Sequence, residues 1–160
     1  FTIESFLNAG GFGITYVARD SLNRQVVVKE CFPAALCRRV GRQVGARSQH
    51  RTEEFRSLVT LFHQEAVNLA RLNHPNIVRV HQVFRDNDTA YLAMDYIRGP
   101  DLLQTVEGSA GRLPPDRIIH LLVRLLEALA HVHAQGFLHR DIAPDNILLD
   151  EATGEPVLID

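Results

Sequence analysis

Cysteine is scarce in this chain: Cys31 and Cys37 are the only two. That is too few for a disulfide framework, and no paired CxxC sets offer zinc ligands, so two reduced thiols in a cytoplasmic domain are expected. No apolar run is long enough to cross a bilayer. The most apolar stretch, Ile118 to Val132, is interrupted by His120, Arg124, Glu127 and His131. The opening FTIESF lacks the basic and long apolar parts of a signal peptide. Excess charge is missing too: a formal net charge of −2 gives no reason to expect a nucleic-acid or membrane partner. Repeats and low-complexity tracts are absent. What remains is 160 residues, 46% apolar and 22% charged, the composition of one globular domain with a real core.

The first third reads as strands. Phe1 to Leu7 and Ile14 to Asp20 flank a glycine cluster, and Ser21 to Arg24 forms a turn before Val26-Val27-Val28. Residues 33 to 52 carry five arginines (38, 39, 42, 47 and 51) and no acidic residue, with Gly41 and Gly45 breaking any period. A solvated insertion loop is expected there, with a docking surface for an anionic partner as the alternative. From Glu53 the period becomes helical: Phe55, Leu58, Val59, Phe62, Ala66 and Leu69 share one face of a helix ending near Asn73, before Pro75. Ile77 to Phe84 and Thr89 to Tyr96 predict an antiparallel pair around Asp86-Asn87-Asp88. Gly99-Pro100 marks a hinge, and Gly108 to Pro115 a second break. A long helix is predicted from about Asp116 to Gln135. Its polar residues His120, Arg124, Glu127 and His131 form one narrow stripe, and the rest of its circumference is so apolar that it requires packing on several sides.

Three places carry chemistry. Asn8-Ala9-Gly10-Gly11-Phe12-Gly13 lies between two predicted strands, where glycines let backbone N–H groups approach phosphates. Strand, not helix, follows the glycines, which counts against a dinucleotide-binding fold. Lys29 ends an apolar strand, and Glu65 on the next helix has no basic residue three or four positions away, so a distant partner is plausible. Finally His139-Arg140-Asp141-Ile142-Ala143-Pro144-Asp145-Asn146 follows the long helix, and Val157-Leu158-Ile159-Asp160 ends the sequence. One aspartate to take a hydroxyl proton, with an Asn and an Asp to hold magnesium, is the set that phosphoryl transfer requires.

In order, GGFGITY, VVVKE, EAVNLARLNHPNIV, YLAMDYIRG, HRDIAPDNILL and VLID resemble the signature set of eukaryotic-type protein kinases, with a flavour similar to the bacterial serine/threonine enzymes. The resemblance covers essentially the whole chain. It implies an α+β bilobal fold: an N-lobe of antiparallel sheet plus one helix over 1–96, a hinge at 97–101, and the first part of a helical C-lobe over 102–160. It further implies ATP and Mg2+ as cofactors and a protein substrate bearing Ser or Thr. Gly10, Gly11, Phe12 and Gly13 would cover the phosphates. Lys29 would bind the α- and β-phosphates and pair with Glu65. Leu7, Thr15, Val27 and Leu148 would sandwich the base. Met94 would be the gatekeeper, the backbone of Asp95 and Ile97 would bind adenine, and Asp101 would contact the ribose. Asp141 would orient and deprotonate the substrate hydroxyl, while Asn146 and Asp160 would hold magnesium.

The chain departs from the pattern in places. Asn8 stands at the first glycine position and Thr15 at the usual valine. Ala143 replaces the lysine that would contact the γ-phosphate. The alternative in view of Ala143 is a pseudokinase, a nucleotide-binding scaffold. The Phe-Gly, activation loop and later helices of the pattern do not occur within these residues. The 160-residue stretch alone is therefore expected to transfer no phosphate and to aggregate through its long helix. Any membrane link would come through regions outside it.

Overall fold

Alternating β-branched residues set the first half of the chain into strands. The computed structural model describes residues 1–11 and 13–159. They divide into two units, Phe1–Arg71 with Val80–Tyr96, and Leu72–Arg79 with Ile97–Asp160.

The strands of the first unit are β1 (Thr2–Ala9), β2 (Gly13–Arg19), β3 (Gln25–Cys31), β4 (Cys37–Val40), β5 (Gln43–Ala46), β6 (Val80–Asp86) and β7 (Thr89–Asp95). Five of them form one antiparallel sheet in the order β1-β2-β3-β7-β6. Cross-strand partners share a face. Thr15, Lys29 and Leu92 form one such row, and Val17, Val27 and Met94 the next. Tyr16, Val28 and Ala93 belong to the opposite face, as do Glu30 and Tyr91.

Helix α1 (Thr52–Leu69) buries Phe55, Val59 and Ala66, the stripe its period predicts. Glu53 and Glu54 sit in its first turn, where the helix dipole favours negative charge. It packs against Cys31, Cys37, Val44 and Ala90, so it covers the sheet face that carries the odd-numbered residues of β3.

The expected solvated loop at 33–52 is instead folded, and the sequence reading is corrected there. Strands β4 and β5 make a hairpin with Val40 opposite Gln43 and Gly41 at φ 62° in its tight turn. Cys37 and Val44 are its buried contribution to the core. Its arginines bond to backbone carbonyls instead of facing only water. Arg47 Nε donates to Ala34 O (2.9 Å) and Cys37 O (3.0 Å), and Arg51 Nη1 donates to Ala35 O at 2.5 Å. Two inward apolar residues among many polar ones are too sparse a pattern to read as strand.

The second unit holds α2 (Leu102–Gly108), α3 (Pro115–Ala134), β8 (Ile147–Leu149) and β9 (Pro156–Leu158). Pro115 opens α3 at a position that needs no N–H donor. Gly136 at φ 79° follows its end and donates to His133 O at 2.9 Å. Leu121, Leu125, Ala128 and Val132 are its buried row, with Leu125 packed against Ile147 and Leu158 of the β8–β9 hairpin. Polar side chains of α3 find partners: His120 Nε2 lies 2.9 Å from Glu155 Oε1, Arg117 bonds to Gly154 O, and the His131 ring lies 5.5 Å from that of His74, tilted by 38°. Ile118, Ile119, Leu122, Val123 and Leu126 lie exposed along α3.

Leu72–Arg79 belongs to this second unit although the sequence boundary placed all of 1–96 in one lobe. Its backbone bonds go to β9: Val78 N–H donates to Leu158 O and Leu158 N–H to Asn76 O, both at 2.9 Å. Asn76 Nδ2 donates to Pro156 O at 2.7 Å in a buried setting. Ile77, expected in a strand continuous with Phe84, bridges Leu158 instead.

Candidate active site

The first unit assembles one set of the predicted residues. Thr15, Val27, Lys29 and Met94 occupy adjacent paired rows on a single face of the sheet. Met94 and Val27 are buried, and Lys29 is half-buried at the end of their row. The glycine cluster is the β1–β2 turn, closed by Gly10 N–H donating to Gly13 O at 2.9 Å. Its glycines differ in kind. A Cβ on Gly10 or Gly11 would meet nothing within 4 Å, whereas one on Gly13 would lie 2.6 Å from Glu30 O. Gly13 is thus required by packing against β3, while Gly10 and Gly11 border open space. Leu7 falls at a bulge between Phe6 and Asn8 and is exposed. Asp95 directs its carboxylate to His81 Nε2 at 2.7 Å and pairs with Val26 across β3–β7. Phe12 lies outside the described residues.

Glu65, which the resemblance pairs with Lys29, lies on α1. Glu65 is exposed and sits beside, not within, the buried row of α1. The helix register is set by Phe55, Val59 and Ala66, which leaves the carboxylate at the edge of the stripe.

The second unit assembles the other set. Pro144–Asn146 makes a single 3-10 turn, with Asn146 N–H donating to Ala143 O at 3.0 Å. That turn aims the Asn146 amide back at Asp141: Nδ2 donates to Asp141 Oδ2 at 3.0 Å and to Asp141 O at 3.1 Å. Arg140 adopts φ 68° just before Asp141, a strained geometry of the sort concentrated at functional turns. Ile159 N–H donates to Asn146 O at 3.0 Å. Asp160 itself lies outside the described residues. Nearby, Asp101 and Leu148 form a bridge pair, and the Asp101 carboxylate caps α2 by accepting from Gln104 N–H at 2.7 Å. Gly99 at φ 142° packs against β8, where a Cβ would lie 1.8 Å from Leu149 O. Ile97 is half-buried at the start of that segment.

Among the described residues no cluster of three or more His, Cys, Asp or Glu side chains could hold a metal. What the second unit offers is an exposed carboxylate beside an amide. With Nδ2 committed to Asp141, Asn146 keeps Oδ1 as an acceptor. Oxygen donors of this type suit a hard divalent cation such as Mg2+.

Sequence reading missed one cluster. Glu30 is 1% exposed yet fully bonded: Tyr16 Oη donates at 2.9 Å, Tyr91 Oη at 2.8 Å and Arg39 Nη2 at 2.5 Å. Arg39 reaches in from β4 and also lies 5.2 Å from the centroid of the Phe32 ring. Burial, then the bond to Glu30, pushes the Tyr16 hydroxyl up to about 12. The Tyr91 hydroxyl is also pushed up to about 12, mainly by burial. The available signal was the alternation Val26, Val28, Glu30, which places an acid on an apolar face.

Residues 1–160 match, end to end, the family model described as protein kinase domain. The chain belongs to that family. Its kinase relatives include serine/threonine-protein kinase C of Synechocystis sp., 32% identical across the entire chain. Among solved structures, the apo form of PpkA-294 is 34% identical with a TM-score of 0.90 over 99% of the chain. A Rad53 structure in complex with AMP-PNP gives a TM-score of 0.73 at 25% identity, also over 99% of the chain. The kinase chain described here spans 28% of the length of the Synechocystis protein, 57% of the PpkA-294 chain and 37% of the Rad53 chain. The fold accordingly is the kinase one, with an antiparallel sheet and one helix in the first unit and helices in the second.

Proposed function

We infer that the protein containing this domain transfers the γ-phosphate of ATP to Ser or Thr hydroxyls of proteins, with Mg2+, in the cytoplasm. The observation that carries this reading is the Asp141–Asn146 pair, an exposed carboxylate held by a neighbouring amide at 3.0 Å. The kinase relatives named serine/threonine-protein kinases support the acceptor class, and the AMP-PNP in the Rad53 structure supports the nucleotide. Two free, buried cysteines fit a reducing compartment.

Bound MgATP would supply the phosphoryl group and a counter-charge for it. Gly10 and Gly11 leave room for phosphates against backbone N–H groups, and Lys29 neutralises the α- and β-phosphates. Glu65 would be the carboxylate partner of Lys29. Asp141 accepts the proton of the substrate hydroxyl as that oxygen bonds to the γ-phosphorus and the bond to the β-phosphate oxygen breaks, leaving ADP. Asn146 keeps the Asp141 carboxylate oriented, and Asn146 and Asp160 would hold magnesium. Catalysis here is positioning and electrostatic stabilisation.

The test is γ-phosphate transfer to protein by the full-length polypeptide, its Lys29→Met form and its Asp141→Asn form. Each substitution should lower incorporation by about a hundredfold or more. Equal incorporation in all three removes the mechanism. Tight MgATP binding without turnover in the native protein replaces the enzyme with a scaffold.

A further inference from the structure

The buried cluster around Glu30 has no part in the reaction just described, yet it lies one residue from Lys29. Three observations connect them. First, alternation along β3 puts Glu30 on one face and Lys29 on the other, so whatever fixes Glu30 fixes the strand segment that carries the lysine. Second, the Glu30 carbonyl is the surface against which Gly13 packs, with room for no Cβ. Glu30 therefore touches the phosphate-side turn through its backbone and the opposite face through its side chain. Third, its side chain is held from outside the five-stranded sheet. Tyr16 and Tyr91 come from the strands on either side, β2 and β7, but the counter-charge comes from Arg39 on the β4–β5 hairpin. Arg39 is itself fixed by the Phe32 ring and by a bond to Arg42 O at 3.4 Å.

We propose that Arg39 is a positioning residue for nucleotide binding, acting through Glu30 to hold Lys29 and the Gly10–Gly13 turn in place. The arginine-rich hairpin is then a brace for the phosphate-binding strand, not a solvated insertion. Without Arg39, the Glu30 carboxylate loses the one cation bonded to it among the described residues. A buried carboxylate left with two hydroxyls must draw in water or turn outward, and either response displaces β3 at residue 30. The proposal rests on the kinase reading above.

The experiment measures MgATP binding, and KM for ATP against kcat, in the full-length protein with Arg39→Met, Arg39→Lys, Tyr91→Phe and Arg38→Met. Circular dichroism and thermal unfolding run in parallel. Arg39→Met should weaken MgATP about tenfold, with a rise in KM for ATP larger than the fall in kcat. Arg39→Lys, which keeps a charged donor, should stay within about threefold. Arg38 is the neighbouring, exposed residue on β4, and its loss should leave affinity unchanged. Should Arg39→Met fail to fold, Tyr91→Phe keeps the cation and removes one donor, and should weaken MgATP about threefold. Native-like affinity in a folded Arg39→Met or Tyr91→Phe protein overturns the proposal, as does an equal loss in Arg38→Met. If the native protein binds no nucleotide, the kinase reading itself fails, a result distinct from either.

Discussion

Substituting Gly13 by alanine should cost stability, while the same change at Gly10 or Gly11 should not. A Cβ on Gly13 would stand 2.6 Å from Glu30 O, against ordinary van der Waals contact at 3.4–4 Å. Strands β2 and β3 would therefore have to part by several tenths of an ångström. Relief is hindered, because Gly13 is paired with Cys31, and Cys31 is buried beneath α1. Overpacking of this kind costs about 1–3 kcal/mol. For a domain of this size that is a fall of roughly 3–10 °C in Tm. Gly10 and Gly11 have open space where a Cβ would go, so alanine there should move Tm by no more than about 1–2 °C, in line with surface substitutions. Nucleotide binding should rank the three differently, since a methyl at either open position occupies space that the proposed function assigns to phosphates. Thermal unfolding of the three variants, read beside MgATP titration, separates the two effects. If Gly13→Ala unfolds at the native temperature, or Gly10→Ala loses as much stability, the assignment of packing to one glycine and ligand space to the others is wrong.

Two further outcomes follow from the same physics. Leu125→Ala should destabilise the second unit by about 2–5 kcal/mol, because Leu125 packs against Ile147 and Leu158. Ile147 directly follows the Asp141–Asn146 turn, so amide exchange should quicken across residues 141–149, and unchanged protection there would refute the link. Tyr16 and Tyr91 keep their protons up to about pH 12 in the folded state, against about 10 unfolded. Between those values the unfolded chain has lost protons that the folded one retains. The stability contributed by the two hydroxyls is therefore complete below pH 10 and disappears as pH rises towards 12. Absorbance of tyrosinate near 295 nm should rise together with unfolding. Ionisation of both in a still-folded protein would contradict the buried Glu30 bonds.

The elements with strong periodicity were legible beforehand. The stripe Phe55, Val59, Phe62, Ala66 gave α1, and the Leu/Ile/Val run from Ile118 gave α3, because each buries one face against a large partner. The β4–β5 hairpin was not legible, since Cys37 and Val44 are its only fully buried apolar residues and its arginines look like solvent-seeking charge. Local spacing of Asp141 and Asn146 showed which groups could meet, and the 3-10 turn at Pro144–Asn146 supplied the bond between them.

By itself the order of residues settled the chemistry on offer: a glycine turn, a strand-end lysine, and an Asp and Asn five positions apart. These depend on side-chain identity and short spacing, which a linear sequence carries in full. Only tertiary structure decided which glycine is packed, that Arg39 answers the charge of Glu30, and that residues 72–79 join β9. Each of those turns on which surfaces meet across long separations along the chain, and burial makes an unpaired charge or a misplaced methyl costly only once they have met.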